Sequence, residues 1–297
     1  VRDASSLRNV QEQSEVDEIE AHFCLLPAEW PKANFIFSAL PELRYSRQDR
    51  NMLDTPLLFI AAVFAFAGVV KGVIGLGLPT ISMGLLATAM PPVQAAAILL
   101  LPSFITNVWQ MISGPSLSKV LRRLWPMMLA VCAGTWAGLG TMTGTSARSG
   151  TALLGTALII YAIAGLASWH ASVPKSFEPI ASPLVGAITG LITAATGVFV
   201  IPAVPYLQAI GLDKEELVQA LGLSFSVSTV ALAINVGVEG GLHVSMAAET
   251  IVALGLACAG MWFGQFIRHR LSQAAFRTWF FASLFLLGLY LIARSLT

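Results

Sequence analysis

The sequence predicts an all-α, polytopic membrane protein made of two inverted repeats of about five transmembrane segments each. Three observations predict it. The 297 residues are 56% hydrophobic and only 11% charged, with a mean hydropathy of +0.75, whereas soluble domains carry about 25% charge. Two glycine-rich, proline-ended interruptions fall at matching places in apolar segments, Gly68-Val-Val-Lys-Gly-Val-Ile-Gly-Leu-Gly-Leu-Pro-Thr80 and Gly186-Ala-Ile-Thr-Gly-Leu-Ile-Thr-Ala-Ala-Thr-Gly197 with Pro202 and Pro205 beyond. Short motifs also recur. Cys132-Ala-Gly-Thr-Trp-Ala-Gly138 returns 126 residues on as Cys258-Ala-Gly-Met-Trp-Phe-Gly264, and Val93-Gln94-Ala95 returns as Val218-Gln219-Ala220.

Residues 1–51 are a different kind of sequence. They hold nine of the sixteen acids and six of the seventeen Lys and Arg residues. No basic region leads into an apolar core and a small-residue cleavage site, so the segment does not read as a signal peptide. We read it as a polar N-terminal tail. Met52 stands directly before the apolar part, so the tail is expected to be an over-extended gene start, the alternative being a disordered cytoplasmic tail.

The first membrane repeat is expected over 52–169, with apolar segments near 57–77, 79–90, 92–113, 124–143 and 150–168. A hydrophilic connector follows over 170–181. The second repeat, 182–297, carries segments near 182–199, 201–210, 216–236, 246–267 and 276–294. Most approach the ~20 residues a helix needs to cross a bilayer. The second segment of each repeat is too short, and with its predecessor should form a broken or re-entrant hairpin.

Loop charge orients the repeats. Lys119, Arg122 and Arg123 lie between the third and fourth segments, whereas the matching loop of the second half, 237–245, has no Lys or Arg. Arg268, Arg270 and Arg277 bracket the next loop, whose first-half counterpart has only Arg148. Basic loops stay cytoplasmic, so matching loops face opposite sides and both termini lie outside.

The interruptions are where chemistry is expected. Glycine lets the backbone unwind and be approached closely. Pro79 and Pro202 stop the preceding helix, and a half-helix starting there aims free N–H groups and a positive dipole end into the membrane. Such a cradle suits a dehydrated oxyanion. The expected substrate-binding residues are Lys71, Gly72, Gly75, Gly77, Pro79, Thr80, Asn107, Thr193, Thr196, Gly197 and Pro202. For Gly68, Gly72, Gly186 and Gly190 the pattern by itself favours close helix packing. Lys71 is the one basic residue within a predicted span rather than in a loop or near a span's end; a charge there costs about 2.5–3.5 kcal/mol on insertion scales and so faces a cavity or a partner, the alternative being that it snorkels to a headgroup. Thr106, Gln110 and Asn235 either line the same path or join helices, and the run Ser224, Ser226, Ser228 and Thr229 either faces the same cavity or bonds back to its own helix. Trp136 and Trp262 are expected in the core, with Cys132 and Cys258 buried one turn away. Glu249 is expected near the surface, and Asp213 as a helix N-cap.

Gly72-Val-Ile-Gly-Leu-Gly-Leu-Pro79, the later Gly190…Thr196-Gly197…Pro202 and the duplicated pattern over 56–295 resemble the TauE/SafE family of membrane permeases, also called the toluene-sulfonate uptake permease family. The resemblance implies transport of a sulfur-containing or organic anion, such as sulfite or a sulfonate, across the inner membrane, coupled to protons. Thr193, Ala194, Ala195 and Thr196 stand where family members often have glycine. The alternatives are an uncoupled anion facilitator or channel, or a non-transport structural subunit.

No cofactor, metal site or catalytic group is expected. The glycines lack the preceding strand and the Lys-Ser/Thr of a phosphate loop. The four histidines, His22, His170, His243 and His269, sit in the tail or near connectors, and the three cysteines have no metal spacing. The expected partners are a small anion and the lipid bilayer, with no nucleic acid; a homodimer is compatible with the reading.

Overall fold

The computed structural model describes residues 54–144, 147–167, 172–268, 270 and 272–296. The N-terminal tail and the Met52 start lie outside the described residues.

Ten helices account for nearly all of the described chain, and no strand occurs among these residues. The first five are α1 Asp54–Ile74, α2 Leu78–Leu86, α3 Pro92–Ile112, α4 Leu117–Ala137 and α5 Ala147–Leu166. The second five are α6 Glu178–Thr196, α7 Ala203–Ala209, α8 Lys214–Val238, α9 Ala247–Ile267 and α10 Gln273–Leu296. Single turns at Thr141–Gly144 and Val244–Met246 serve as connectors. Seven helices are long and apolar enough to cross a membrane: α1, α3, α5, α6, α8, α9 and α10. At 21 residues α4 has the length too, but Lys119, Arg122 and Arg123 dilute its hydropathy. That corrects the sequence reading, which put these residues in a loop and the helix at 124–143. The three bases form the first turns of α4 instead.

The first helix of each run packs on the fourth helix of the other. Gly68 and Gly72 of α1 face the backbone of Ala257 and Met261 in α9, and Gly264 returns the contact to Val69. Gly186 and Gly190 of α6 face Met127 and Val131 in α4, and Gly134 returns it to Ala187. Both pairs run parallel, backbone against backbone, which only small residues permit. The third helices cross antiparallel, with Ser103 Oγ 3.4 Å from Thr229 Oγ1. The fifth cross likewise, Gly155 and Gly288 each touching the other's carbonyl.

Following these contacts along the chain places Lys119, Arg122, Arg123, Lys175, Lys214, Arg268, Arg270 and Arg277 at one end of the bundle. Among the described residues only Arg148 and Arg294 fall at the other. At the basic end Arg123 makes two hydrogen bonds to Glu178, of 2.6 and 2.9 Å, and one to the Ile210 carbonyl at 2.7 Å. Lys119 pairs with Glu216 at 2.5 Å. Asp213 caps α8 as expected, in a capping box with Glu216.

Trp136 and Trp262 are 73% and 72% exposed, which overturns their expected place in the core. The glycines of α4 and α9 face the partner helices, and a tryptophan two residues from each falls on the opposite, lipid-facing side. Cys132 is carried outward with Trp136 and is also exposed.

Gly190→Val should therefore lower stability by about 1–3 kcal/mol or more, because an added side chain forces two backbones apart. Gly255→Ala, which would meet nothing within 4 Å, should be neutral. Thermal unfolding of both variants in detergent checks this.

Candidate functional site

Each interruption ends its helix on a left-handed glycine. Gly75 and Gly77 have φ of +80° and +107°, a region closed to most side chains. Between them the chain leaves α1 and turns. A Cβ on Gly77 would lie 3.1 Å from Val70 Cγ1, whereas seven residues of continuous helix would separate the two by about 10 Å. Pro79 and Thr80, expected within the break, already belong to the first turn of α2, which has no side-chain cap. The second break opens at Gly197, φ +69°, whose N–H closes α6 on the Thr193 carbonyl at 2.8 Å. It continues to Pro202 at the N-cap of α7, with Val198, Phe199 and Val200 fully buried.

The breaks meet through α2. A Cβ on Gly197 would sit 2.7 Å from Met83 Cε, and Met83 is fully buried. Gly77 is closed in the same way by Phe280, but a Cβ on Gly75 would meet nothing within 4 Å.

Lys71 lies one turn before Gly75 and is 3% exposed; it does not snorkel. Its ammonium donates to Asn107 Oδ1 and, at 3.1 Å, to Thr106 Oγ1, both on α3. From there a chain of donors runs across the bundle. Asn107 Nδ2 donates to Ser103 Oγ at 3.0 Å. Thr229 gives its own proton to the Phe225 carbonyl at 2.6 Å, so the Ser103 proton points at Thr229 Oγ1. Every bond runs from the lysine toward α8, the order an ammonium imposes because it only donates. Among the described residues no carboxylate touches Lys71. Its charge is held by two neutral oxygens.

The other expected residues divide. Asn107 joins Lys71 directly. Gly72 is taken up by the α1–α9 contact, facing Gly264 Cα. The hydroxyls of Thr80, Thr193 and Thr196 donate to the carbonyls of Gly77, Thr189 and Ile192 at 2.7–3.0 Å. They therefore reach the breaks with lone pairs rather than protons, and Thr196 accepts from the Val198 N–H at 3.2 Å. Gln219 laces the α3–α4 connector through Ser116, Met111 and Gly114. Glu249 is only partly buried. The sequence reading missed Met83 as the contact between breaks; a methionine in an apolar helix gives no signal. It also missed Ser103, although the spacing to Asn107 is one helical turn. Among the described residues no group of three or more His, Cys, Asp or Glu could hold a metal.

The model of the sulfite exporter TauE/SafE family matches residues 60–291, which takes in both breaks and Lys71. The chain belongs to the TauE/SafE family. As a TauE/SafE member it is a multi-pass membrane transport protein of a permease family rather than of an enzyme family. Neither a curated protein nor a solved structure matches it.

Asn107→Leu should lower the melting temperature of the anion-free permease by the equivalent of about 1–3 kcal/mol, because it strips a buried ammonium of an acceptor. Lys71→Met removes the charge altogether and should leave that temperature unchanged or raise it. Paired melting curves in detergent decide it.

Proposed function

We propose that this TauE/SafE chain is a secondary transporter carrying a small sulfur-containing or organic anion, such as sulfite or a sulfonate, across the inner membrane. The observation that carries the proposal is Lys71: an enclosed ammonium, next to a left-handed break, with neutral oxygens as its only partners among the described residues. A buried cation costs least when an anion joins it. An oxyanion brings several acceptors that need donors once water is removed. The ammonium and the uncapped start of α2 supply them.

The two five-helix runs are, on this proposal, inverted repeats. The reciprocal pairing of α1 with α9 and of α6 with α4 supports it, as does the opposite direction in which matching helices run. Eight bases at one end of the bundle support a cytoplasmic assignment for that end, with both described chain ends on the outer side. Alternating access then comes from one hairpin rocking against the other about the Met83–Gly197 contact. Coupling is to protons, with Lys71 as the carrier.

Proteoliposomes test this. Sulfite or methanesulfonate uptake should accelerate with an imposed pH gradient, and Lys71→Ala should cut the rate at least a hundredfold. Flux indifferent to the gradient would favour the facilitator reading, and full activity in Lys71→Ala would remove the lysine from the mechanism.

A further inference from the structure

Most buried hydroxyls in this bundle bond back to a carbonyl of their own helix, the usual habit of helical Ser and Thr. On α8, Ser226 does so to Gly222 at 2.8 Å and Thr229 to Phe225 at 2.6 Å. Ser224 and Ser228 do not. Both are fully buried, and neither Oγ has a hydrogen-bond partner among the described residues. An unpartnered buried hydroxyl is destabilising and calls for a reason.

Their depth gives one. Helices α3 and α8 run antiparallel, with Ser103 opposite Thr229 and Gly222 against Met111. One turn on from Ser103 is Asn107, the acceptor of Lys71, and one turn back from Thr229 is Phe225. Ser224 therefore lies level with Asn107 and Lys71, and Ser228 level with Ser103. The second break lies in the same layer, because Phe199 packs on Phe225 with ring centroids 5.3 Å apart. Four residues apart, the two serines share one helix face with their Cβ atoms about 5–6 Å from each other. That face is turned about 100–160° around α8 from Gly222 and Thr229, which meet α3, so it borders the side on which Phe225 meets the second break, and it is within reach of one small oxyanion accepting from both.

We propose that Ser224 and Ser228 are the side-chain donors that hold the transported oxyanion, the pair recognising its oxygens while Lys71 balances its charge. This rests on the anion-transport reading above. It also gives the second half a role that a lysine cannot have there, since Thr189 stands at the place matching Lys71.

The test uses the purified full chain in detergent with sodium sulfite as probe, measured by titration calorimetry, alongside anion-free melting curves. Ser224→Ala and Ser228→Ala should each weaken sulfite binding about tenfold or more, equivalent to about 1.4 kcal/mol. Their anion-free melting temperatures should be unchanged or higher. Ser283→Ala, whose hydroxyl bonds to the Phe280 carbonyl on α10, should bind like the unaltered protein. Wild-type affinity in both α8 variants overturns the serine assignment alone. So does weaker binding that comes with a lower anion-free melting temperature, the mark of a packing role. If the unaltered protein binds neither sulfite nor methanesulfonate, the transport reading falls and this inference falls with it.

Discussion

Hydrocarbon offers no water to a broken helix, so each interrupted backbone must be enclosed by protein. Much of this architecture follows from that one constraint. Gly75–Gly77 and Gly197–Pro202 leave amides and carbonyls outside the helical ladder, and both stretches are walled in except at Gly75. Helices from both runs supply the walls: α10 closes over Gly77 through Phe280, and α2 of the first run plugs Gly197 of the second with Met83. The glycine-lined pairs α1–α9 and α4–α6 make this exchange tight. Neither run encloses its own break unaided.

Within that enclosure the electrostatics are lopsided. Near one end the bundle pairs opposite charges, Arg123 with Glu178 and Lys119 with Glu216. At depth it leaves one ammonium among neutral oxygens. Hydrogen bonds to Thr106 and Asn107 orient Lys71 without cancelling its charge. A carboxylate in place of Asn107 would neutralise the site and abolish any pull on an anion. An amide holds the lysine still and leaves the field in place. The same logic suits hydroxyl donors on the facing helix, which add hydrogen bonds without adding a second fixed charge.

Much of the fold was legible because the lipid constraint writes itself into composition. Segment lengths, the two short second helices and the breaks all follow from hydropathy, glycine and proline. The start of α4 was misread because Lys119, Arg122 and Arg123 resemble a loop, although Lys119 and Arg123 are held at a helix end by acids distant in sequence. The repeated Cys-Ala-Gly motifs mislead in a subtler way. They align 126 residues apart, yet the positions that pack equivalently, Met127 with Ala257 and Gly134 with Gly264, are 130 apart. Small residues at every fourth position let the sequence slide one turn and still match. In the candidate site, Lys71 and Asn107 announced themselves as polar groups at depth. The threonines did not reveal that their protons go to backbone carbonyls, since hydroxyl direction depends on rotamer and not on residue type. The serines of α8 looked ordinary until their partners were sought.

The account stands or falls on where the anion rests. Selenite is a close analogue of sulfite with an electron-rich centre, so an experimental structure of the chain soaked in selenite, phased for anomalous selenium signal, locates it directly. One peak is predicted in the lysine layer, at the Ser224–Ser228 face of α8 beside the second break and at the depth of Lys71 Nζ. A peak confined to the bundle ends, beside Arg294 or the Arg123–Glu178 pair, with none in the lysine layer, would contradict it.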